Sequence, residues 1–268
     1  MTKEKTKKKE SRPSSLWHYT SFENLTFILN LKDESCAYKG LLNFWFSNPL
    51  QTNDKKELNF FKEHIYNGKK GEQIKKEIEF IEGKIGSPFT LSLIRHYDAH
   101  YPSCEIPMWR MYGDNFNGVR LRFNYKELEK YCQNHELELA QCIYPTKEEM
   151  SSTSRDIRNS YEAEDLNTLE TIYKKTVCYK TRDWVYENEW RLVKWCNNIE
   201  DIGFRPKDGR LYHEVKIPID LLETIVIGPK ADQDAIEGCL NLIKDKLKNK
   251  KINANFNIEK SKLQIEYV

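Results

Sequence analysis

"WVYENEWRLVKW" (184–195) is the most aromatic segment of the chain, and it carries two glutamates and an arginine. Read as a strand, alternation places Glu187, Glu189 and Arg191 on one face, while Trp184, Tyr186, Trp190 and Leu192 line the other. Read as a helix, Glu187 and Arg191 would form an i,i+4 ion pair. The density of Trp, Tyr and Val favours the strand. Carboxylates among aromatic side chains are destabilised by desolvation unless they are paired, and Arg191 and Arg182 are the candidate partners of Glu187. A structural ion pair and a catalytic carboxylate both meet that requirement.

Working outward, further strand patterns flank this one. "LWHYT" (16–20) is a short apolar and aromatic run, followed by a helix with Ser21 as N-cap and Phe22, Leu25, Ile28 and Leu29 at helical spacing. "LLNFWFS" (41–47) and "FTLSLI" (89–94) read as strands, and "NPLQTND" (48–54) supplies turn chemistry before a charged helical stretch from about 55 to 85. "GVRLRF" (118–123) alternates Val119, Leu121 and Phe123 with Arg120 and Arg122, so it reads as a half-buried strand with Arg120 at the surface. The "DNFNG" before it is a turn. Residues 125–136 and 146–176 read as polar helices, and 177–195 returns to strands. "YHEVKIPI" and "ETIVIGP" add two more strands, then a helix over 231–249 and a last strand near "LQIEYV" close the chain. No internal repeat or domain boundary is visible. The pattern predicts one α+β domain over 16–268 with a single mixed or mostly antiparallel sheet flanked by helices.

The chain has 268 residues, 39% hydrophobic and 12% aromatic, enough to bury a sizeable core. No apolar run reaches the roughly 20 residues needed to cross a bilayer, and the N-terminus lacks an apolar leader, so a cytoplasmic protein without a membrane partner is expected. Seven cysteines stand singly, with no pair at zinc-ligand spacing, which points to reduced thiols packing as small hydrophobes. The net charge of +2 hides a basic segment at the N-terminus: residues 1–12 carry six Lys/Arg against two Glu. Residues 1–15 therefore read as a disordered basic tail on a folded part that is not itself basic.

There is no P-loop, dinucleotide glycine fingerprint, H-E-x-x-H or G-x-S-x-G. What remains is a dispersed set of polar and aromatic residues: His18, Tyr19 and Thr20; Ser47, Asn53 and Asp54; Trp109, Arg110 and Tyr112; Glu187 and Glu189. Each has a plainer reading. His18 can be satisfied by a backbone partner, Asn53 and Asp54 fit a turn or cap, and Trp109 and Tyr112 fit a core or a pocket wall.

The ordered run "WHYTSFENLTFIL", "LNFWFSNPLQTNDKKE", "MWRMYGDNFNGVRLRF", "WVYENEWRLV" and "IVIGP" resembles the bacterial domain-of-unknown-function family 2971. Asn53-Asp54 with Glu57, Met108-Trp109 with Gly118, and the run Tyr186 to Arg191 carry the match. That family name implies no activity. The opening pattern, with His18-Tyr19-Thr20 on a strand, a helix, and then Phe46-Ser47 at a strand end, is similar to the start of ADP-ribosyltransferase folds. The pair Glu187-x-Glu189 resembles the glutamates those enzymes keep on a late strand, although "YENEW" is more aromatic than the usual glutamate loop.

This second resemblance implies NAD as substrate. Cleaving its nicotinamide–ribose bond passes through an oxocarbenium-like state that a carboxylate stabilises. Glu187 or Glu189 would be the catalytic carboxylate. His18 or Tyr19 would fix the adenosine-side ribose, Ser47 would orient the nicotinamide ribose, and Trp109 or Tyr112 would stack on a ring. The outcome would be transfer to an unknown protein or nucleic-acid acceptor, or NAD hydrolysis, in a defence or toxin effector. The rival from another class is a non-catalytic module that senses a nucleotide or nucleic acid in phage defence. A metal nuclease built on Asp54, Glu57, Glu187 and Glu189 ranks last, since it lacks an associated lysine at a recognisable spacing, and no metal ligand is assigned.

Overall fold

A computed structural model of the chain describes residues 12–29, 40–51, 66, 70–96, 102–205 and 209–264. It is α+β, with ten strands joined in one mixed sheet. The strands are β1 (Ser15–Thr20), β2 (Leu41–Ser47), β3 (Ser87–Ile94), β4 (Val119–Asn124), β5 (Glu138–Gln141), β6 (Glu189–Cys196), β7 (Ile202–Arg205), β8 (Arg210–Pro218), β9 (Leu222–Ile227) and β10 (Asn257–Lys260). The main path runs β10-β9-β4-β1-β3-β2-β8-β7, with β6 also on β3 and β5 on β6. All pairs are antiparallel except β9 with β10.

The helices bounded within the described residues are α1 (Phe22–Ile28), α2 (Gly71–Ile85), α3 (Pro102–Met111), α4 (Tyr125–Gln133), α5 (Lys147–Glu162), α6 (Leu166–Thr176) and α7 (Gln233–Asn249). Their starts follow the sequence chemistry. Ser21 accepts from the Asn24 amide at the head of α1, Asn124 accepts from the amides of Lys126 and Glu127, and Thr146 with Glu149 forms a reciprocal capping box. α2 turns its buried Ile74, Ile78 and Ile81 against Met150 and Ile157 of α5 and Leu169 and Tyr173 of α6. The larger core lies on the sheet, where Phe44, Phe46, Phe89, Phe123 and Phe256 are fully enclosed.

Several expectations are corrected. Only the second half of 184–195 is strand: Arg182–Glu187 forms a 3-10 turn, closed by Asn188 in the left-handed region (φ 45°, ψ 50°), and β6 starts at Glu189. The left-handed residue breaks the alternation that the strand reading extended back to Trp184. Tyr186 is consequently exposed and Trp184 only half-buried, rather than both packed on a greasy face. The long helical reading of 146–176 is two helices, divided at Ala163–Asp165. The final strand is Asn257–Lys260, ahead of the predicted place, and 265–268 lie outside the described residues. Asn53, Asp54, Glu57 and most of 55–70 also lie outside them. β1 begins at Ser15, and Pro13 before it is buried.

Arg120 is not a surface residue. Its side chain is 13% exposed, 3.1 Å from Glu105, and donates to the Tyr19 hydroxyl at 3.1 Å. Its guanidinium also lies 4.3 Å from the ring centre of Trp17. Trp17, Tyr19 and Trp109 make this side of the sheet an aromatic enclosure, so a charge that alternation assigned to solvent is paired and largely covered.

The feature of the sheet that matters most is a split. β6 holds one edge of β3 along its whole length, from Ser87↔Cys196 to Ile94↔Glu189. On the other edge β1 meets β3 only at Trp17↔Ile94, and β2 only at Ser47↔Thr90. β1 and β2 diverge between these bridges, which leaves the Leu91–Leu93 segment without a strand on that edge. A gap of this kind opens a concavity and leaves backbone groups to be satisfied by other means.

Candidate active-site cleft

A cleft of about 480 Å³ opens at the split. That volume is within the range of small-molecule sites. It is bordered by His18, Tyr19 and Thr20 of β1, Ser21, Asn24 and Phe27 around α1, Asn43, Trp45 and Ser47 of β2, and Thr90 and Ser92 of β3. Met111, Tyr112, Asp114, Glu187 and Arg205 border it as well, over an apolar floor of Ile28, Phe44, Leu91 and Ile94.

His18 meets one of the backbone groups the split leaves open: its Nδ1 lies 3.0 Å from the Ser92 carbonyl oxygen. A carbonyl only accepts, so Nδ1 carries the proton and donates, and in the neutral ring Nε2 keeps its lone pair. Burial holds the imidazole below its ordinary pKa, with the Ser92 carbonyl opposing, which favours that neutral form. The chain thus presents a histidine of fixed tautomer, with its ring edge-on to Phe44.

Ser92 is exposed to the cleft, and its hydroxyl donates to Glu189 Oε1 at 2.6 Å. Glu189 is 1% exposed and lies behind Ser92. Arg191 Nε donates to its Oε1 at 2.9 Å, while Arg191 Nη2 and Lys180 Nζ donate to Oε2 at 3.2 and 2.8 Å. Lys180 also donates to Glu187 Oε2, and the Tyr112 hydroxyl donates to Glu187 Oε1 at 2.7 Å. Two buried carboxylates are thus matched by two buried cations, a balance that low-dielectric burial demands.

The two carboxyls are driven apart. Burial raises both, but at Glu189 the charges of Arg191 and Lys180 outweigh it and hold the pKa at about 2. At Glu187 burial prevails over Lys180 and the Tyr112 hydroxyl, and the Glu189 charge adds to it, so its pKa is raised. Glu189 is the permanently charged member and Glu187 the adjustable one.

Local backbone chemistry aims Glu187 at the cleft. Asn188, in its left-handed conformation, is held twice by Arg95, the residue just past the end of β3: its carbonyl accepts from the Arg95 amide and its side chain donates to the Arg95 carbonyl. Tyr112 and Asp114 reach the same mouth from the turn after α3. There Asp114, Asn115 and Phe116 all have positive φ (50°, 48° and 76°), and the Asn117 side chain donates to the carbonyls of Asp114 and Asn115. The turn closes on Gly118, where a Cβ would stand 2.2 Å from the Thr20 carbonyl oxygen.

Of the residues singled out in the sequence, His18, Tyr19, Ser47, Tyr112 and Glu187 border this one cleft although they lie far apart in the chain. Glu189 supports it from behind. Trp109 is fully buried beside Tyr19, Ile94 and Met108 and is not among the bordering residues, so its ring acts as core rather than as a stacking surface. Tyr19 borders the cleft, but its hydroxyl is engaged by His96 at 2.8 Å and by Arg120. Arg182 and Arg191 were the expected partners of Glu187; Lys180 and Tyr112 take that place, because Arg191 extends to Glu189 and the Val177 carbonyl. Lys180 and Ser92 carried no motif spacing, although Ser92 shows in "FTLSLI" as a polar residue within an apolar strand. Among the described residues no group of three or more His, Cys, Asp or Glu is arranged to hold a metal ion, and no helix is long and apolar enough to cross a membrane.

The network beside the cleft has a pH consequence. Burial, followed by the charge of Arg120, lowers His96 to about 4. Arg120 donates to the Tyr19 oxygen, and the Tyr19 hydroxyl then donates to neutral His96 Nε2, an arrangement that a protonated ring cannot accept. The unfolded chain, with His near 6.5, binds more protons between about 6.5 and about 4. Stability is therefore expected to fall as pH drops through that window, by on the order of 2–3 kcal/mol. Urea midpoints of wild type and His96→Phe at several pH values check this, the variant losing that part of the slope.

The model of a protein family of unknown function, DUF2971, matches residues 108–192. The resemblance to that family therefore holds over the segment that carries Tyr112, Lys180, Glu187, Glu189 and Arg191, while His18 and Ser47 lie outside it. No curated protein and no solved structure matches the chain.

Proposed function

We propose that the protein is an ADP-ribosyltransferase-like enzyme that takes NAD into the cleft at the sheet split and cleaves its nicotinamide–ribose bond. The observation that supports this reading is the convergence on one cleft of a neutral histidine, a strand-end serine, an aromatic ring and a buried carboxylate: His18, Ser47, Tyr112 and Glu187. In the reaction, nicotinamide leaves with the electron pair of the N-glycosidic bond. The sugar becomes an oxocarbenium ion, and water or a nucleophile of a macromolecule adds to C1′ with loss of a proton.

Glu187 is assigned the electrostatic role. Its Oε1 is covered by the Tyr112 hydroxyl, the position a ribose hydroxyl would take over on binding, and its Oε2 is held by Lys180. Lys180 shares its charge with Glu189, so Glu187 is the less compensated of the two carboxylates. His18 Nε2 is assigned as acceptor for a sugar hydroxyl, and Ser47 as a second contact. Glu189 is a positioning residue, fixing Ser92 and Lys180.

The test is direct. Purified protein with NAD should release nicotinamide, and NAD at about 100 times its Kd should stabilise the fold by about 2.7 kcal/mol in a thermal melt. Absence of both turnover and an NAD-dependent melting shift would overturn the proposal and leave the cleft to the sensing role.

A further inference from the structure

Behind the carboxylates, two buried cysteines face each other. The segments 142–144 and 178–180 run side by side as an isolated parallel bridge, Ile143↔Tyr179, in which the Ile143 amide donates to the Cys178 carbonyl at 2.7 Å and the Lys180 amide donates to the Ile143 carbonyl at 2.9 Å. In that register Cys142 stands directly opposite Cys178, and paired residues on adjacent segments point to the same side. Adjacent strands lie roughly 4.8 Å apart, inside the roughly 4.4–6.8 Å between Cα atoms that a disulfide accepts. Both thiols are buried in one small cluster with Val177 and Val193.

We propose that Cys142 and Cys178 are an oxidation site, a dithiol that peroxide converts to a disulfide. Cys178 is the attacking thiolate: its sulfur takes one oxygen from hydrogen peroxide, giving a sulfenic acid and releasing water once protons are counted. The Cys142 thiol then displaces that oxygen as a second water and forms the S–S bond. Two thiols and one peroxide become one disulfide and two waters, the thiols being oxidised and the peroxide reduced.

The surroundings fit this division of roles. The Cys142 thiol donates a hydrogen bond to Cys178, which lowers the Cys178 pKa against the opposing effect of burial, and the Arg191 charge acts in the same sense. Burial, then the same hydrogen bond, raises Cys142. A lowered thiol next to a resolving partner is the arrangement from which disulfides form. The site also touches the cleft machinery: the Cys142 amide donates to the Glu189 carbonyl at 2.8 Å, and Cys178 lies two residues before Lys180. The cross-link would therefore tie down the segment that carries Lys180 to Glu187 and Glu189.

Full-length reduced protein, treated with a few equivalents of hydrogen peroxide, is alkylated in denaturant, digested without reduction and analysed by mass spectrometry. The expected product is a Cys142–Cys178 peptide pair two hydrogens lighter than the separate peptides and restored by dithiothreitol, with a melting temperature above that of the reduced protein. Cys142→Ser should block the cross-link and leave a sulfenic acid on Cys178 that a dimedone reagent captures. Full alkylation of both thiols after exposed Cys239 has been oxidised would overturn the proposal. So would dimedone labelling of Cys239 without Cys178 in the Cys142→Ser variant. Neither readout uses NAD or any activity.

Discussion

Glu187→Gln is expected to stay folded, to retain NAD binding, and to lower nicotinamide release about a hundredfold or more, the scale of losing a main electrostatic stabiliser of a cationic transition state. The amide keeps the shape of the carboxylate and still accepts from Tyr112 or Lys180, but it carries no charge toward the cleft. Folding survives because Lys180 retains Glu189 as a charged partner at 2.8 Å, so no cation is stranded. The measurement is nicotinamide release under saturating and subsaturating NAD, with a melt of each protein. Equal kcat for wild type and variant would remove Glu187 from the mechanism, and a collapse of the fold would make it a structural residue.

The second large effect belongs to stability. Arg191→Met is expected to destabilise the protein by about 3–5 kcal/mol, because it leaves the 1%-exposed carboxylate of Glu189 with one cation in place of two. Glu189→Gln should also destabilise, since the buried arginine then loses the carboxylate charge that Nε and Nη2 donate to and meets a neutral amide in its place. The double variant should cost less than the sum of the singles, because neither charge is left unmatched by the other. Urea denaturation of the four proteins measures the coupling, and strict additivity would show that the pair contributes nothing specific. The melting temperature of Arg191→Met should fall by roughly 6–20 °C, at about 2–4 °C per kcal/mol for a chain of this size. Glu187 and Glu189, two residues apart, are thus expected to fail in different assays.

Much of the fold was legible locally. Alternation in "GVRLRF" and "EWRLVKW" and the β-rich run "LLNFWFS" gave the strands β4, β6 and β2, and the Ser21 cap marks a helix start that the structure keeps. Periodicity is information about a residue and its near neighbours, and there it served well. It failed at Arg182–Glu187, because a left-handed Asn188 costs little locally and nothing in the flanking pattern announces it. It failed again at Arg120, where alternation cannot tell solvent from an aromatic enclosure assembled from β1 and α3.

For the site, the sequence by itself determined the cast and the tension: polar residues at strand ends, and carboxylates within an aromatic segment that had to find partners. Glu189 and Arg191 share a face of β6, as period two requires. The tertiary structure alone decided the rest. Which edges of β3 are occupied is a global packing outcome, and the split between β1 and β2 makes the cleft. Lys180 and Tyr112 became the partners of Glu187, and Ser92 joined His18 to Glu189 across 74 and 97 residues of chain. A buried charge is satisfied by whatever donor the folded chain brings within about 3 Å, and that proximity is a property of three-dimensional packing that no local spacing encodes.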